Sequence, residues 1–519
     1  MDFPILMEQS KHSTEESDQD DWISEGKIRI PRSKSVFYNN VQEFNRDLSV
    51  LSVHTYLKHE YWRSTSSSFD QLSIFDALSA TGLRSIRYSK ECLQCSLPLK
   101  IIANDLSEKS VSIIKKNITL NGVKNVDVYN EDCSIFMYKR KASNQRLNVI
   151  DLDPYGSPIQ FLDAAIQTIE DGGLLMITST DMAVLCGNQP GACYAKYASY
   201  PIRAKFCHEM ALRILIAATN SHATRYGRYI KPLLSLSIDF YIRIFVQVFS
   251  SKNHANKSIE NLSYLLTCKE CESFTLLPLC TSRKENDQTS VLLTNICTLC
   301  GGSLRIGGPI WSSSIHDSNF VQKMQNELKT FQELSAIHFR TFRRMEGLLQ
   351  MIDEELQDCP LYYQLDRLCS LVRCPMPPIR LFRSILINGG YRVSYSHALK
   401  NSIKTDAPKE FIWSILQFLI GSDSSNPKIK PSISKIIEKK FSYTIKDELV
   451  EEKLLSKSMN LLRYQINPEV NWGPKSRPNN DDQNEKRIRN QDKHVKKRQK
   501  NSRKCIENNL IFINSILKN

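Results

Sequence analysis

The sequence predicts an α/β fold, a largely parallel sheet with helices on both faces, followed by an α+β domain that carries a four-cysteine metal site. Three observations predict it. From about Ser24 to Phe249 short apolar runs alternate with stretches of helical spacing, the pattern of strand–helix–strand units that pair their strands in parallel. Two strand-like runs, 232–240 and 243–249, then follow each other directly and finish one edge of the sheet. Past a polar break at 250–258, two Cys-x2-Cys pairs and a mixture of helical, Pro-rich and aromatic stretches mark a change of character.

The elements follow in order. Residues 1–22 are acidic and poor in periodic apolar positions, so they are expected to be disordered. The runs 72–78, 99–105, 125–130, 147–153 and 173–180 read as buried strands, and 82–91, 107–120 and 158–170 between them carry helical spacing. Together they make a first domain over 23–255. A second domain spans 256–472, with 318–358 helical and charged and 361–420 mixed. From 473 to 519 Asn, Asp, Lys and Arg dominate and order is expected to fade.

Length and charge bound the function. A chain of 519 residues fits about two to four domains. Its 41% apolar and 24% charged residues exclude a wholly disordered or fibrous molecule. No apolar run approaches the ~20 residues that span a bilayer; the best, 211–219, is broken by Arg213. Glu8, Glu15, Glu16, Asp18, Asp20 and Asp21 against Lys11 disfavour a basic secretory or mitochondrial leader. The net charge is +14, and 486–504 alone sets ten lysines and arginines against one acid. Such a run reads as a nucleic-acid contact or a nuclear-import address, or else as a solvated tail. Fifteen cysteines without a leader suit a reducing compartment, where paired cysteines hold metal.

The chemistry collects at strand ends. DALSATGLRSIR, Asp76 to Arg87, joins the first of these strands to the next helix, the place where doubly wound sheets hold a ligand. It has Gly82 alone where a dinucleotide fingerprint has three glycines, so a cofactor loop and a plain strand–helix turn both stand; Arg84 and Arg87 favour the former. Asp105 ends the next strand, and a carboxylate there accepts both hydroxyls of a ribose or caps the helix that follows. Asp132 ends the third, where it accepts an adenine amino group or, again, caps a helix.

DLDPYGSP, Asp151 to Pro158, is the sharpest signal. Asp-Pro-aromatic after a strand is what amino-group methyltransferases place at the reacting nitrogen. The lone pair of an exocyclic amine is delocalised into its ring. Accepting the N–H hydrogens with the Asp153 carboxylate and a backbone carbonyl favours a pyramidal nitrogen, and Tyr155 stacks on the base to fix its aim. A Pro-Gly turn after a strand is the plain alternative.

Cys268-x2-Cys271 and Cys297-x2-Cys300, twenty-five residues apart, suit one tetrahedral zinc; four thiolates leave no open position, so the metal is structural. Free buried cysteines are the alternative, and Cys280 within the loop is a substitute ligand. Basic and aromatic residues interleave over 373–397, either as a surface for phosphates and bases or as a strand with core aromatics.

The chain resembles the tRNA (guanine-26-N2)-dimethyltransferase family over about 23–420. The resemblance rests on Ile23-Ser24-Glu25-Gly26, Val36-Phe37-Tyr38-Asn39 with Asn45-Arg46-Asp47, DALSATGLRSIR, DLDPYGSP and Thr178-Ser179-Thr180-Asp181. It continues through Cys207-His208-Glu209, Ala211-Leu212-Arg213, the cysteine pairs, Gly308-Pro309-Ile310-Trp311, Tyr362-Tyr363-Gln364-Leu365-Asp366 and Lys404-Thr405-Asp406-Ala407-Pro408. Asn40, Tyr155 and Ser312-Ser313-Ser314 depart from the family pattern without removing a candidate catalytic group.

The resemblance implies a class I, Rossmann-like, S-adenosyl-L-methionine-dependent fold that methylates N2 of a guanine in the tRNA core once or twice. By motif it assigns Arg46, Asp76, Thr81, Gly82, Arg84, Asp105, Asp132 and Cys133 to the cofactor. Asp153, Pro154 and Tyr155 fall at the reacting amine, with Asp181 a second contact to the guanine. The expected reaction is a direct in-line transfer onto a base flipped from its stack, with the second domain and basic tail gripping tRNA. Partners are tRNA, with no membrane and no obligate protein partner. The tail points to the nucleus, with a mitochondrial pool allowed. Rival readings are another RNA amino-group methyltransferase, for instance on adenine N6, and a zinc-containing tRNA-binding protein without turnover.

Overall fold

The chain starts with a hairpin, β1 (Trp22–Glu25) and β2 (Ile28–Pro31), and the helix α1 (Glu43–His59). A strand–helix series follows: β3 (Leu72–Asp76), α2 (Leu83–Glu91), β4 (Leu99–Asn104), α3 (Glu108–Leu120), β5 (Val126–Tyr129), α4 (Cys133–Ala142), β6 (Leu147–Leu152), α5 (Ile159–Thr168) and β7 (Ile169–Ser179). Helices α6 (Met182–Leu185), α7 (Pro190–Tyr197) and α8 (Cys207–Thr224) lead to the hairpin β8 (Arg228–Ile238) and β9 (Tyr241–Ser250). The computed structural model describes residues 22–32, 38–61, 71–92, 98–280, 295–334, 337–421, 428–450 and 454–464. The acidic stretch 1–21, the 36–37 part of one family motif and the basic run 486–504 lie outside the described residues.

Seven strands form one sheet in the order β5-β4-β3-β6-β7-β9-β8, parallel from β5 to β7, with β9 antiparallel to both its neighbours. The order reverses between β3 and β6, which opens a crevice beyond their carboxyl ends. Alternation divides each inner strand between two cores. Phe75, Ile102, Ile150, Leu175 and Ile177 face α4, α5 and α8, whereas Ile74, Ile101, Val149, Leu174 and Met176 face α1. Strands buried on both faces must be apolar throughout, and β6 is buried along its whole length.

The expected strands and helices are present, with ends that differ by a few residues. Asp105 and Asp153 lie one residue beyond their ladders, and β7 starts at Ile169, directly after α5. The polar break holds the short helix α9 (Lys252–Lys257). Beyond it, β10 (Leu262–Cys268), β11 (Phe274–Pro278) and β12 (Leu304–Trp311) form an antiparallel sheet in the order β11-β10-β12.

The stretch expected to be helical at 318–358 is the pair α10 (Ser318–Glu333) and α11 (Phe342–Asp353). Phe320, Val321, Met324 and Leu349 share a core with Leu174, Met176 and Phe245, so this pair covers the α1 side of the main sheet. A three-stranded sheet over 363–405 and the helices around it make a further core containing Phe382, Ile403, Phe411 and Trp413. No helix among the described residues is long and apolar enough to cross a membrane.

Candidate active site

Asp76 on β3 and Asp151 on β6 are cross-strand partners, so two carboxylates meet inside the sheet. Both are buried, and two arginines balance them. Arg84, in the first turn of α2, donates Nη1 to Ser49 Oγ at 2.8 Å and lies 3.3 Å from Asp151 Oδ2; its Nη2 pairs with Asp153 Oδ2. From β9, Arg243 donates Nη2 to Asp151 Oδ1 at 2.9 Å and to Ser49 Oγ at 2.8 Å, and Nη1 to Thr178 Oγ1 at 2.5 Å. The Tyr88 hydroxyl donates to Asp151 Oδ2 at 2.6 Å.

Electrostatics separates the two acids. Burial alone raises Asp151, but Arg243, Arg84 and the Tyr88 hydroxyl outweigh it and hold the group below the ordinary carboxylate value. For Asp76 burial and then the Asp151 charge win and push it up to about 6, although Ser85 Oγ donates to its Oδ2 at 2.5 Å. Asp153 sits at the outer end of this network with its side chain 25% exposed, open to a substrate while Arg84 fixes its direction. Pro154 is buried, and Tyr155 beyond it is 54% exposed, a ring presented to solvent.

The loop after β6 is tied to the loop after β7. Gly156 N donates to Thr180 Oγ1 at 2.8 Å, and Thr180 N returns a bond to Gly156 O at 3.0 Å. Asp181 therefore stands beside the loop of Asp153 and Tyr155, and Lys196 Nζ lies 2.7 Å from its Oδ2.

The other predicted cofactor residues divide. Asp105 accepts from Ala80 N through Oδ2 and from Ser107 N through Oδ1, both at 2.9 Å. It braces the β3–α2 loop, whose Ala80 has φ +51°, and Ser107 rather than Asp105 caps α3. Leu106 next to it is 71% exposed. Thr81 is buried and its carbonyl accepts from Asn117 Nδ2 at 2.8 Å. Gly82 has φ +75°, and a Cβ there would meet Ile114 Cγ2 at 2.9 Å, so this glycine serves the packing of α2 on α3.

Asp132 is the N-cap of α4, with Oδ1 accepting from Ser134 N at 2.9 Å and Ile135 N at 3.1 Å. Of the two roles weighed for it, the cap is the one present. Cys133 is buried beside Phe136, and burial pushes its thiol up to about 12. Arg46 is held by Glu25, Nε to Oε2 at 2.7 Å and Nη2 to Oε1 at 2.5 Å, and lies within electrostatic reach of Arg84.

Reading the sequence alone leaves out Ser49, Tyr88 and Arg243 and assigns Asp151 no role. Asp151 had a signal in DLDPYGSP, and Tyr88 directly follows Arg87 on the helix that DALSATGLRSIR opens; Ser49 and Arg243 had none, because distant segments contribute them.

The Cys268, Cys271, Cys297 and Cys300 sulfurs are buried and lie within 4.8 Å of one another. Cys268 Sγ is 3.3 Å from Cys300 Sγ, and Cys271 Sγ is 3.7 Å from Cys297 Sγ. Zn–S bonds of about 2.3 Å require sulfurs about 3.8 Å apart, so the donor set fits one tetrahedral ion. Glu270 N and Gly302 N donate to Cys268 and Cys300 Sγ at 3.4 and 3.2 Å, which favours thiolates. The basic–aromatic stretch divides, with 382–386 and 394–397 buried and Arg373, Arg380 and Arg392 exposed. Arg383 packs on buried Tyr395, Tyr391 packs on Phe411, and Arg392 pairs with Asp358 and Asp406.

Residues 14–417 match the signature of a family described as N2,N2-dimethylguanosine tRNA methyltransferase. The tRNA (guanine(26)-N(2))-dimethyltransferase of Drosophila melanogaster is 40% identical, over 92% of this chain and 91% of its own. The enzyme of the same name from Schizosaccharomyces pombe is 38% identical, over 88% of this chain and 92% of its own. The structure of Trm1 from Pyrococcus horikoshii with S-adenosyl-L-methionine superposes with a TM-score of 0.63 at 28% identity, covering 75% of this chain and 98% of that one. With the signature matched across the sheet, its crevice and the cysteine cluster, the chain belongs to the N2,N2-dimethylguanosine tRNA methyltransferase family.

Proposed function

We propose that this chain transfers one or two methyl groups from S-adenosyl-L-methionine to the N2 amino group of guanine 26 in tRNA. The observation that carries the reading is the Asp153 carboxylate at the open end of the Arg84–Asp151–Arg243 network, with the exposed Tyr155 ring two residues on. Family membership supports the base and the position. Residues 23–255 are proposed as the methyltransferase domain, 256–472 as the tRNA-binding part with one structural zinc on Cys268, Cys271, Cys297 and Cys300, and 473–519 as a basic tail. A nuclear location is proposed on the basic run alone, with a mitochondrial pool allowed.

The cofactor, when bound, supplies an electrophilic methyl group. Arg46, Asp76, Thr81, Gly82, Arg84, Asp105, Asp132 and Cys133 are proposed to hold it at the strand ends. Asp153 accepts an N–H of the guanine amine and the Pro154 carbonyl a second, which turns the nitrogen lone pair outward. Tyr155 stacks on the base and fixes its plane. Arg84 keeps the Asp153 carboxylate directed, and Asp151 with Arg243 keeps Arg84 directed. The proton released from the methylated amine passes to Asp153 or to solvent, so no strong base is required beforehand. A guanine stacked within tRNA leaves its stack to reach Asp153.

The test is methyl transfer from labelled S-adenosyl-L-methionine into unmodified tRNA, read by nucleoside mass spectrometry. N2-methylated guanosine that disappears when guanine 26 is changed is the expected result. Asp153→Ala should abolish transfer while cofactor and tRNA binding persist. Unchanged turnover in that variant refutes the role given to Asp153.

A further inference from the structure

The Asp181–Lys196 pair has no role in folding that accounts for its position. It is half open, with side-chain exposures of 14% for Asp181 and 43% for Lys196, and such pairs add little to stability. Yet it is firmly placed. The double tie between Thr180 and Gly156 fixes Asp181 next to the catalytic loop. Helix α7 brings Lys196 in from above a buried floor of Cys193 and Tyr197, whose hydroxyl lies 3.3 Å from Ser179 Oγ. Cys193 is close enough to Asp181 that the carboxylate, after burial, raises its thiol to about 12.

The pair presents an anionic acceptor and a cationic donor 2.7 Å apart, at the end of a loop tied to the one that carries Asp153. Next to N2, guanine shows an N1–H donor and then an O6 acceptor. Adenine shows the reverse, an N1 acceptor and an N6 donor. A carboxylate for N1–H and an ammonium for O6 complement guanine and oppose adenine.

We propose that Lys196, held by Asp181, is a specificity-determining residue that donates to guanine O6 while Asp181 accepts N1–H. The assignment rests on the reading of this site as a guanine-N2 methyltransferase and adds what selects the base. Asp153 recognises only an amine; the pair recognises which ring bears it.

The experiment compares kcat/KM on tRNA carrying guanine or 2,6-diaminopurine at position 26, for the full chain and for Lys196→Met and Lys196→Arg. Diaminopurine keeps the 2-amino group but has an amine in place of O6 and a bare N1. Loss of a charge-assisted hydrogen bond should lower kcat/KM on guanine by about 10- to 100-fold in Lys196→Met. The diaminopurine rate should stay within about twofold, so that discrimination collapses, and Lys196→Arg should restore most of it. Equal losses on both bases, or no loss on guanine, overturn the assignment. A full chain that methylates neither base refutes the proposed activity itself, a result separable from the Lys196 outcome because it appears before any substitution.

Discussion

At the residue scale the site is a problem in charge. Asp76, Asp151 and Asp153 stand at the ends of two neighbouring strands, and Arg84 and Arg243 supply the only cations in contact with Asp151 among the described ion pairs. Asp151 takes both arginines, which leaves Asp76 with a serine hydroxyl and a pKa of about 6. A carboxyl group raised this way contributes stability that is complete below its unfolded value near 3.8 and is lost as pH rises through 6. Asp76→Asn removes that titration and the repulsion with Asp151. The melting temperature of the cofactor-free variant, measured against the parent chain, should therefore gain on it between pH 5 and pH 8. A difference that is flat across this range shows that Asp76 is not the titrating group.

At the scale of elements, the β3–α2 turn sets where Arg84 points. Gly82, at φ +75°, is left-handed like Ala80 before it, and α3 approaches it so closely that a methyl group has no room beside Ile114. Gly82→Ala should cost about 1–2 kcal/mol for the backbone alone, with more for the contact. It should also weaken cofactor binding several-fold in calorimetry, because α2 must retreat and carry Arg84 with it; affinity equal to that of the parent chain contradicts this coupling.

Legibility followed how far each element's environment could be inferred locally. The inner strands were readable because a strand buried on both faces must be apolar throughout, and the acids that end them were readable as a set. Helix α1 was not. Asn45, Arg46, Asp47, Ser49, Ser52, His54 and Thr55 are all buried along with its apolar residues, so no amphipathic period marks it. Ser49 is satisfied by Arg84 and Arg243, from 35 and 194 residues away, partners that no window of sequence contains. The four-cysteine cluster was readable for the opposite reason, since each knuckle is local and only their convergence is not.

At the scale of the whole molecule, a second buried network joins the main sheet to the C-terminal elements. Lys404 Nζ lies 3.1 Å from Glu209 on α8 and 2.7 Å from Glu355, which in turn holds His397 at 2.7 Å. Arg213 pairs with Glu209 at 2.8 Å and binds the carbonyls of Trp311 and Ser313, closing the Ser312-Ser313-Ser314 departure into the same structure. Burial raises both glutamates, but Lys404 leads the charges that bring Glu209 below and Glu355 well below the ordinary carboxylate value. Their stabilisation is thus present above about pH 4.5 and lost as the pH falls through the lowered values. Burial and His397 hold His316 in its neutral form, so acid also favours the unfolded chain through this histidine below pH 6.5.

Lys404→Met takes the leading counter-charge from two buried carboxylates and should cost about 3–5 kcal/mol at pH 7. The exposed pair Lys430–Glu270 supplies the contrast, since Lys430→Met should cost about 0–1 kcal/mol. The pH dependence separates electrostatics from lost packing. In Lys404→Met the under-compensated glutamates can take up protons, so the deficit against the parent chain should narrow between pH 7 and pH 5, whereas a packing defect keeps it constant. Denaturant titrations of both variants at the two pH values decide between them. A constant deficit means that Lys404 acts through its stem and that the two halves of the network are joined by contact rather than by charge.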